Sequence, residues 1–181
     1  EEALSKALSI IEKGAVIASG GSATIEEVGL LNYIKTHSEE YTFIDRSIAK
    51  NEEEKRQIHA KAILSDYYLM STNAFTMDGQ LVNIDGNGNR VSALCYGPKH
   101  VVIITGMNKL TPSVEDAYKR IRQDACPPNC VRLGLPTPCS KTGVCGDCMS
   151  ASSICDLFVT TRMSRYPDRI HIIMVGEELG Y

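Results

Sequence analysis

The sequence predicts an α/β fold: a three-layer sandwich on a mainly parallel sheet, with one β-hairpin and a cysteine-rich loop insert. Three observations predict it. Short apolar runs alternate with stretches of helical periodicity from residue 15 to residue 124, as strands and their covering helices do. The runs "AVIAS", "YYLMST" and "HVVIIT" show no strict apolar/polar alternation, which suits strands covered on both faces. Asp78-Gly79 stands between two strand-like segments and signals a tight reversal.

The elements follow in order. "EALSKALSIIE" (2–12) places Leu4, Ala7, Leu8 and Ile11 on one helical face. "AVIAS" (15–19) is a buried strand between Gly14 and Gly20, and "GGSATIEEVGLLNYIK" then opens a helix with Ser22 or Thr24 as its cap. "YTFIDR" is a second strand, followed by the helix "NEEEKRQIHAKAILSD", with Asn51 as cap and acids in its first turn. "YYLMST" is a third strand, "MDGQLVNID" forms the hairpin, and a helix lies near 89–95. The strand "HVVIIT" and an amphipathic helix at 113–124 continue the alternation. An irregular segment runs from 125 to 155, where Pro127 and Pro128 argue against regular helix around Cys126 and Cys130. "DLFVTTR" and "RIHIIMVG" are the last strands.

One domain of 181 residues holds a sizeable core, and 43% hydrophobic against 23% charged residues is ordinary globular composition. A net charge of −3 argues against a nucleic-acid protein, for which a basic face is expected. The apolar runs are too short to span a bilayer, so neither nucleic acid nor membrane is an expected partner. The chain opens on Glu1 within a helical pattern, so an upstream segment is expected. Strong strand signals beside clustered cysteines read as a cytoplasmic protein rather than a secreted disulfide scaffold.

Ligands of open parallel sheets bind beyond the carboxyl ends of the strands. That rule gathers a candidate anion site on one rim. Gly20, Gly21, Ser22 and Thr24 form a glycine turn that can present amides and hydroxyls, or simply turn the chain. Asp85, Gly86, Asn87, Gly88, Asn89 and Arg90 form a second loop, in which Gly86 and Gly88 permit positive φ and Asn89 can cap the next helix. Arg90 opposes the helix dipole in its first turn, which an anion would explain; an ion pair with Asp85 is the alternative. Lys99 and Lys109 follow other glycines and complete a carboxylate or phosphate clamp. Asn73 points into the cleft or braces local backbone, and Asp78 serves the turn. The histidines are scattered, and no Ser-His-Asp or Cys-His arrangement is legible.

Six of seven cysteines fall between Cys126 and Cys155. Cys145-Gly-Asp-Cys148 is a C-x-x-C knuckle flanked by Cys139 and Cys155. These four thiolates are the expected ligands of a structural Zn²⁺ or an iron–sulfur cluster. Reduced, partly buried thiols in a stiff loop are the alternative.

The stretches "ASGGSATIEEVGLLNYI", "STNAFTMDGQLVNIDGNGNRVSALCYGPKHVVIITGMNK", "RLGLPTPCSKTGVCGDCMSASSIC" and "IHIIMVGEELGY" together resemble the lactate-utilisation (LUD) domain family, in its cysteine-rich branch. The resemblance covers nearly the whole chain and is most specific at "LVNIDGNGNR" and "GPKHVVIITGMNK". It implies a Rossmann-like layer sandwich akin to the isomerase/CoA-transferase group, whose LUD members are expected to carry an extra N-terminal helix and strand that this chain lacks. It also implies kinship with bacterial accessory components of an iron–sulfur lactate oxidation system.

Two functions of different class follow. One is a small-molecule site for an anionic ligand, where proton or acyl transfer by Glu26, Glu27 or Glu177 rests on fold analogy alone. The other is an accessory subunit whose cysteine segment carries the metal or docks an iron–sulfur redox partner. A plain homo-oligomeric subunit is the third reading.

Overall fold

The computed structural model describes residues 1–181. Its elements begin with α1 (Glu2–Leu8), β1 (Val16–Ser19), α2 (Ala23–Glu27), α3 (Leu30–Thr36) and β2 (Thr42–Ile44). Next come α4 (Glu52–Ile63), β3 (Tyr67–Met70), the hairpin strands β4 (Ala74–Thr76) and β5 (Leu81–Asp85), then α5 (Asn89–Cys95) and β6 (His100–Gly106). The chain continues through β7 (Leu110–Thr111), α6 (Val114–Arg120), α7 (Cys126–Arg132), α8 (Pro138–Thr142), β8 (Leu157–Thr161) and β9 (Ile170–Val175). The sequence reading expects one domain; by internal contacts the chain groups into two compact units. The first comprises Glu1–Ser71, Asn89–Gly106 and Ser164–Gly180, and the second Thr72–Gly88, Met107–Met163 and Tyr181.

The first unit carries a parallel sheet in the order β2-β1-β3-β6-β9. Because side chains alternate along a strand, Ile17, Leu69, Val102 and Ile104 share one face. They pack with Ala7, Ile25, Leu30 and Ile34 from α1, α2 and α3. Each fully buried Ile or Leu there contributes about 1.5–3 kcal/mol. The residues of opposite parity (Ala18, Tyr68, Met70, Val101 and Ile103) are buried as well; α4 runs against β1 and β2, and α5 against α4. Burial on both faces is why these strands read as continuous apolar runs.

Local chemistry sets the helix limits. Ser22 accepts from the Ile25 amide at 3.3 Å and caps α2. The helix expected to run on from there breaks at Gly29, whose left-handed φ of 80° starts α3. Asn51 accepts from the Glu54 amide at 2.8 Å, ahead of the acids Glu52, Glu53 and Glu54 in α4.

The second unit holds a mixed sheet, β7-β4-β5-β8. β4 and β5 are antiparallel across Asp78-Gly79, where the Gly79 amide donates to Thr76 O at 2.9 Å. Ala74, Val82 and Ile84 pack against Ala117, Ile121, Ala125 and Cys126. The helix expected at 113–124 is α6 continued by a π-turn, Ile121–Ala125. The segment expected to be irregular is partly helical: α7 starts at Cys126, with Pro127 and Pro128 in its first turn. The prolines follow directly on the π-turn, where the backbone already departs from the regular α-helical ladder. No helix is long and apolar enough to cross a membrane.

Candidate functional site

The glycine turn after β1 lies at the carboxyl end of the parallel sheet. The Gly20 amide donates to Leu69 O on neighbouring β3 at 3.1 Å, which fixes the turn to the sheet. A Cβ on Gly20 would stand 2.6 Å from Cγ and 2.9 Å from Cδ of Arg90, and 3.2 Å from the Tyr68 hydroxyl. A Cβ on Gly21 would stand 2.8 Å from Nη2 of Arg46. Both glycines therefore exist for close approach, and what approaches is an arginine in each case. Arg90 comes from the first turn of α5, as expected.

Arg46 was not singled out from the sequence. It opens a single 3-10 turn, Arg46–Ile48, immediately after β2. Asp45 does not hold it: that carboxylate accepts from the Ser47 amide at 2.9 Å and pairs with Lys35 at 2.8 Å. Lys35 above all holds the Asp45 carboxyl down at about 2. The signal was available, because a basic residue following a strand that neighbours β1 belongs on the same rim.

The other expected site residues divide by position. Ser22 caps α2 with its oxygen and keeps its own O–H for donation. Thr24 is buried and donates to Leu179 O at 3.3 Å, so it ties down the chain terminus. Glu27 accepts from the Gly180 amide at 2.8 Å, and Glu26 and Glu177 are exposed. Lys99 is misplaced by the sequence reading. It precedes β6 and pairs with Asp66 at 2.7 Å, and Asp66 also accepts from the Val16 amide. Those residues stand at the amino ends of β6, β3 and β1, the rim opposite the glycine turn.

The remaining expected residues belong to the second unit, Asn89 excepted. Asn73 braces β5: its amide donates to Asn83 Oδ1 and its own Oδ1 accepts from the Ile84 amide, both at 3.1 Å. Lys109 is buried, ending the turn Met107–Lys109. Asp85 is the buried last residue of β5, and its carbonyl accepts from the Asp156 amide at 3.2 Å. Gly86 and Gly88 have packing reasons: a Cβ would meet Ile154 Cα at 3.0 Å or Leu157 Cδ1 at 2.7 Å, and Gly88 sits at φ 78°. Asn87 is exposed. Asn89 is the first residue of α5 rather than its cap.

All seven cysteines are thiols. The expected ligand set Cys139, Cys145, Cys148 and Cys155 is not assembled, since no group of three or more His, Cys, Asp or Glu side chains is arranged to hold a metal ion. The thiols act on one another electrostatically. The Cys155 thiol, more than burial, pushes Cys126 up, while the Cys126 thiol lowers Cys155 to about 7 against the upward push of burial. Burial above all pushes Cys130 on α7 up to about 11, and Cys139 on α8 adds to the rise. Cys139 also lies 3.3 Å from Thr137 Oγ1. Arg122 stands beside Cys145 and pairs with Asp147.

Similarity to known proteins was found in sequence and in structure. Ribose 5-phosphate isomerase from Plasmodium falciparum superposes with TM-score 0.39 at 15% identity, covering 61% of this chain and 51% of that one. A DUF162 family protein from Deinococcus radiodurans superposes with TM-score 0.46 at 15% identity, covering 96% and 82%. For eIF2B delta from Chaetomium thermophilum the values are 0.39, 14%, 64% and 49%. The chain thus spans about half the length of the first and third of these proteins. No curated protein matches the sequence. The LUD domain profile matches residues 1–175. That match extends over nearly the whole chain, so the chain belongs to the LUD domain family.

Proposed function

We propose that the protein binds a small carboxylate or phosphate anion at the glycine turn of its first unit. The observation that carries this reading is the packing of Arg90 on Gly20 and of Arg46 on Gly21. Two guanidinium-bearing side chains converge on one backbone turn at the carboxyl rim of a parallel sheet. Guanidinium groups match the oxygens of carboxylates and phosphates with paired, charge-assisted hydrogen bonds. The Ser22 hydroxyl and the Tyr68 hydroxyl lie within the same turn and its neighbour strand, and supply neutral partners. Family membership adds lactate, a hydroxy acid, as the first carboxylate to try.

The reading is of binding. Calorimetric titration with inorganic phosphate and with lactate tests it. Saturable heat with either anion, weakened roughly 10- to 100-fold in Arg90→Gln, is the expected result, at about 1.5–3 kcal/mol for charge-assisted hydrogen bonds. Binding unchanged by Arg46→Gln and Arg90→Gln would overturn it.

A further inference from the structure

The parallel sheet of the first unit ends on β9, which pairs with β6 on one side and with no strand on the other. We propose that this open edge is the contact between two copies of the chain, with β9 antiparallel to β9 across a two-fold axis at Ile172. The contact is independent of the anion site at the glycine turn.

The ladder to β6 decides which backbone groups point outwards. The Val101 amide donates to Arg169 O at 2.7 Å, so Arg169 turns towards β6. Peptide groups alternate in direction along a strand. His171, Ile173 and Val175 therefore follow Arg169 inwards, while Ile170, Ile172 and Met174 each present an N–H and a C=O to the open edge. The register with β6 runs unbroken from Ile170 to Val175, and "IHIIMV" holds no proline, lysine or carboxylate. Bulges, prolines and charges are the devices that keep an edge strand from pairing. β9 has none of them.

The same residues carry an uncovered apolar face. Ile173 and Val175 pack into the core under α1, α2 and α3. Ile170, Ile172 and Met174 lie on the other face, in register with Val101, Ile103 and Thr105 of β6. The helix α4 on that face runs against β1 and β2, at the far side of the sheet. Ile172 and Met174 are left 44% and 63% exposed.

The occupant is a second copy because the edge is self-complementary. With the axis at Ile172, that residue meets its own equivalent, and Ile170 meets Met174 in both directions. Every one of these residues has its backbone groups turned outwards, so each pair exchanges two N–H···O bonds. Each pair also sets one apolar side chain against another on a single face. The charges beyond the strand match as well. Glu177 and Glu178, exposed after β9, come alongside Tyr166 and Pro167 of the copy, next to its exposed Arg165. Asp168 comes beside Gly176, so no carboxylate faces another. A two-fold contact of this kind uses the edge of each copy and closes at two.

Sedimentation equilibrium over a range of concentrations, joined to hydrogen exchange of the β9 amides, tests the proposal. A reversible dimer is expected, in which the amides of Ile170, Ile172 and Met174 gain protection as concentration rises. The register is tested by charge. Ile170→Lys and Met174→Glu, each alone, place an unpaired charge in the contact and are expected to weaken the dimer roughly 10-fold or more. The double variant is expected to recover most of that loss, because the two positions are roughly 13 Å apart within one strand and meet only across the axis. Leu64→Lys, on α4 and 84% exposed, is the control expected to leave the dimer unchanged. A monomer at every concentration, a dimer whose β9 amides exchange freely, or a double variant no better than the single ones would overturn the proposal. Protection of the β9 amides only on addition of an extended peptide would assign the edge to a foreign strand and overturn it too. The concentration dependence of the native chain decides the matter even if a variant folds poorly.

Discussion

A Cβ on Gly20 would stand 2.6 Å from Cγ of Arg90, closer than any carbon tolerates. Arg90 thus lies across the turn, with its aliphatic stem where a side chain would otherwise be. Gly20→Ala is expected to displace that stem, costing about 1–2 kcal/mol of stability from overpacking and lowering phosphate affinity. Gly176→Ala, with nothing within 4 Å of the added carbon, is the matched control, neutral within about 0.5 kcal/mol. Thermal denaturation of the two variants separates them. Equal melting temperatures would mean that Arg90 is not constrained by the turn.

The buried Arg169 braces the first unit through three carbonyls. Its guanidinium donates to the carbonyls of Ala93 and Leu94 at 2.7 Å each and of Pro98 at 3.2 Å, so it closes the end of α5. Arg169→Ala leaves those carbonyls and a cavity, and is expected to cost about 3 kcal/mol or more. Arg169→Lys lacks the planar fork and should recover only part of it. Urea denaturation checks this; a loss below about 1 kcal/mol for the alanine variant would contradict it.

His171 and His100 give the fold an acid sensitivity. Their ring nitrogens are 3.3 Å apart, His100 also meets Asp168 O at 2.9 Å, and the Tyr67 ring stacks on His100. Burial first, and then the His100 charge, push the His171 pKa below its ordinary value. The unfolded chain then binds the proton more readily than the folded one. The stabilising contribution is present above the ordinary histidine value of about 6.5 and is lost as pH falls from there towards the depressed folded value. Denaturation midpoints from pH 8 down to pH 5, in steps of about one unit, are expected to fall for the native chain and to flatten in His171→Gln. A parallel fall in both would assign the acid sensitivity elsewhere.

Much of the fold was legible because its strands are buried on both faces. "YYLMST" and "HVVIIT" have no polar side to mislead a reading, and Asp78-Gly79 marks its own turn. The helix α7 was missed because Pro127 and Pro128 were weighed as helix breakers, whereas they follow a π-turn that the sequence does not announce. Lys99 was placed on the wrong rim although it leads into β6 rather than out of it, and the direction of the strand alone assigns it to the far edge. Arg46 went unnoticed because β2 becomes the neighbour of β1 only through the sheet order. Gly86 and Gly88 were read as an anion loop, yet the packing of Ile154 and Leu157 explains them, a contact between segments nearly seventy residues apart. C-x-x-C spacing draws attention to Cys145 and Cys148, while the placing of Cys126 and Cys155 at the core of the second unit comes from tertiary packing.

The anion site is tested most directly by residue-resolved amide and arginine Nε chemical shifts during titration with inorganic phosphate. Saturable shifts at Gly20, Gly21, Ser22, Arg46 and Arg90, abolished in Arg46→Gln/Arg90→Gln and untouched by Lys99→Ala, are the expected result. Saturable shifts centred on Lys99 and Asp66 at the opposite rim, with the glycine turn unmoved, would contradict the account.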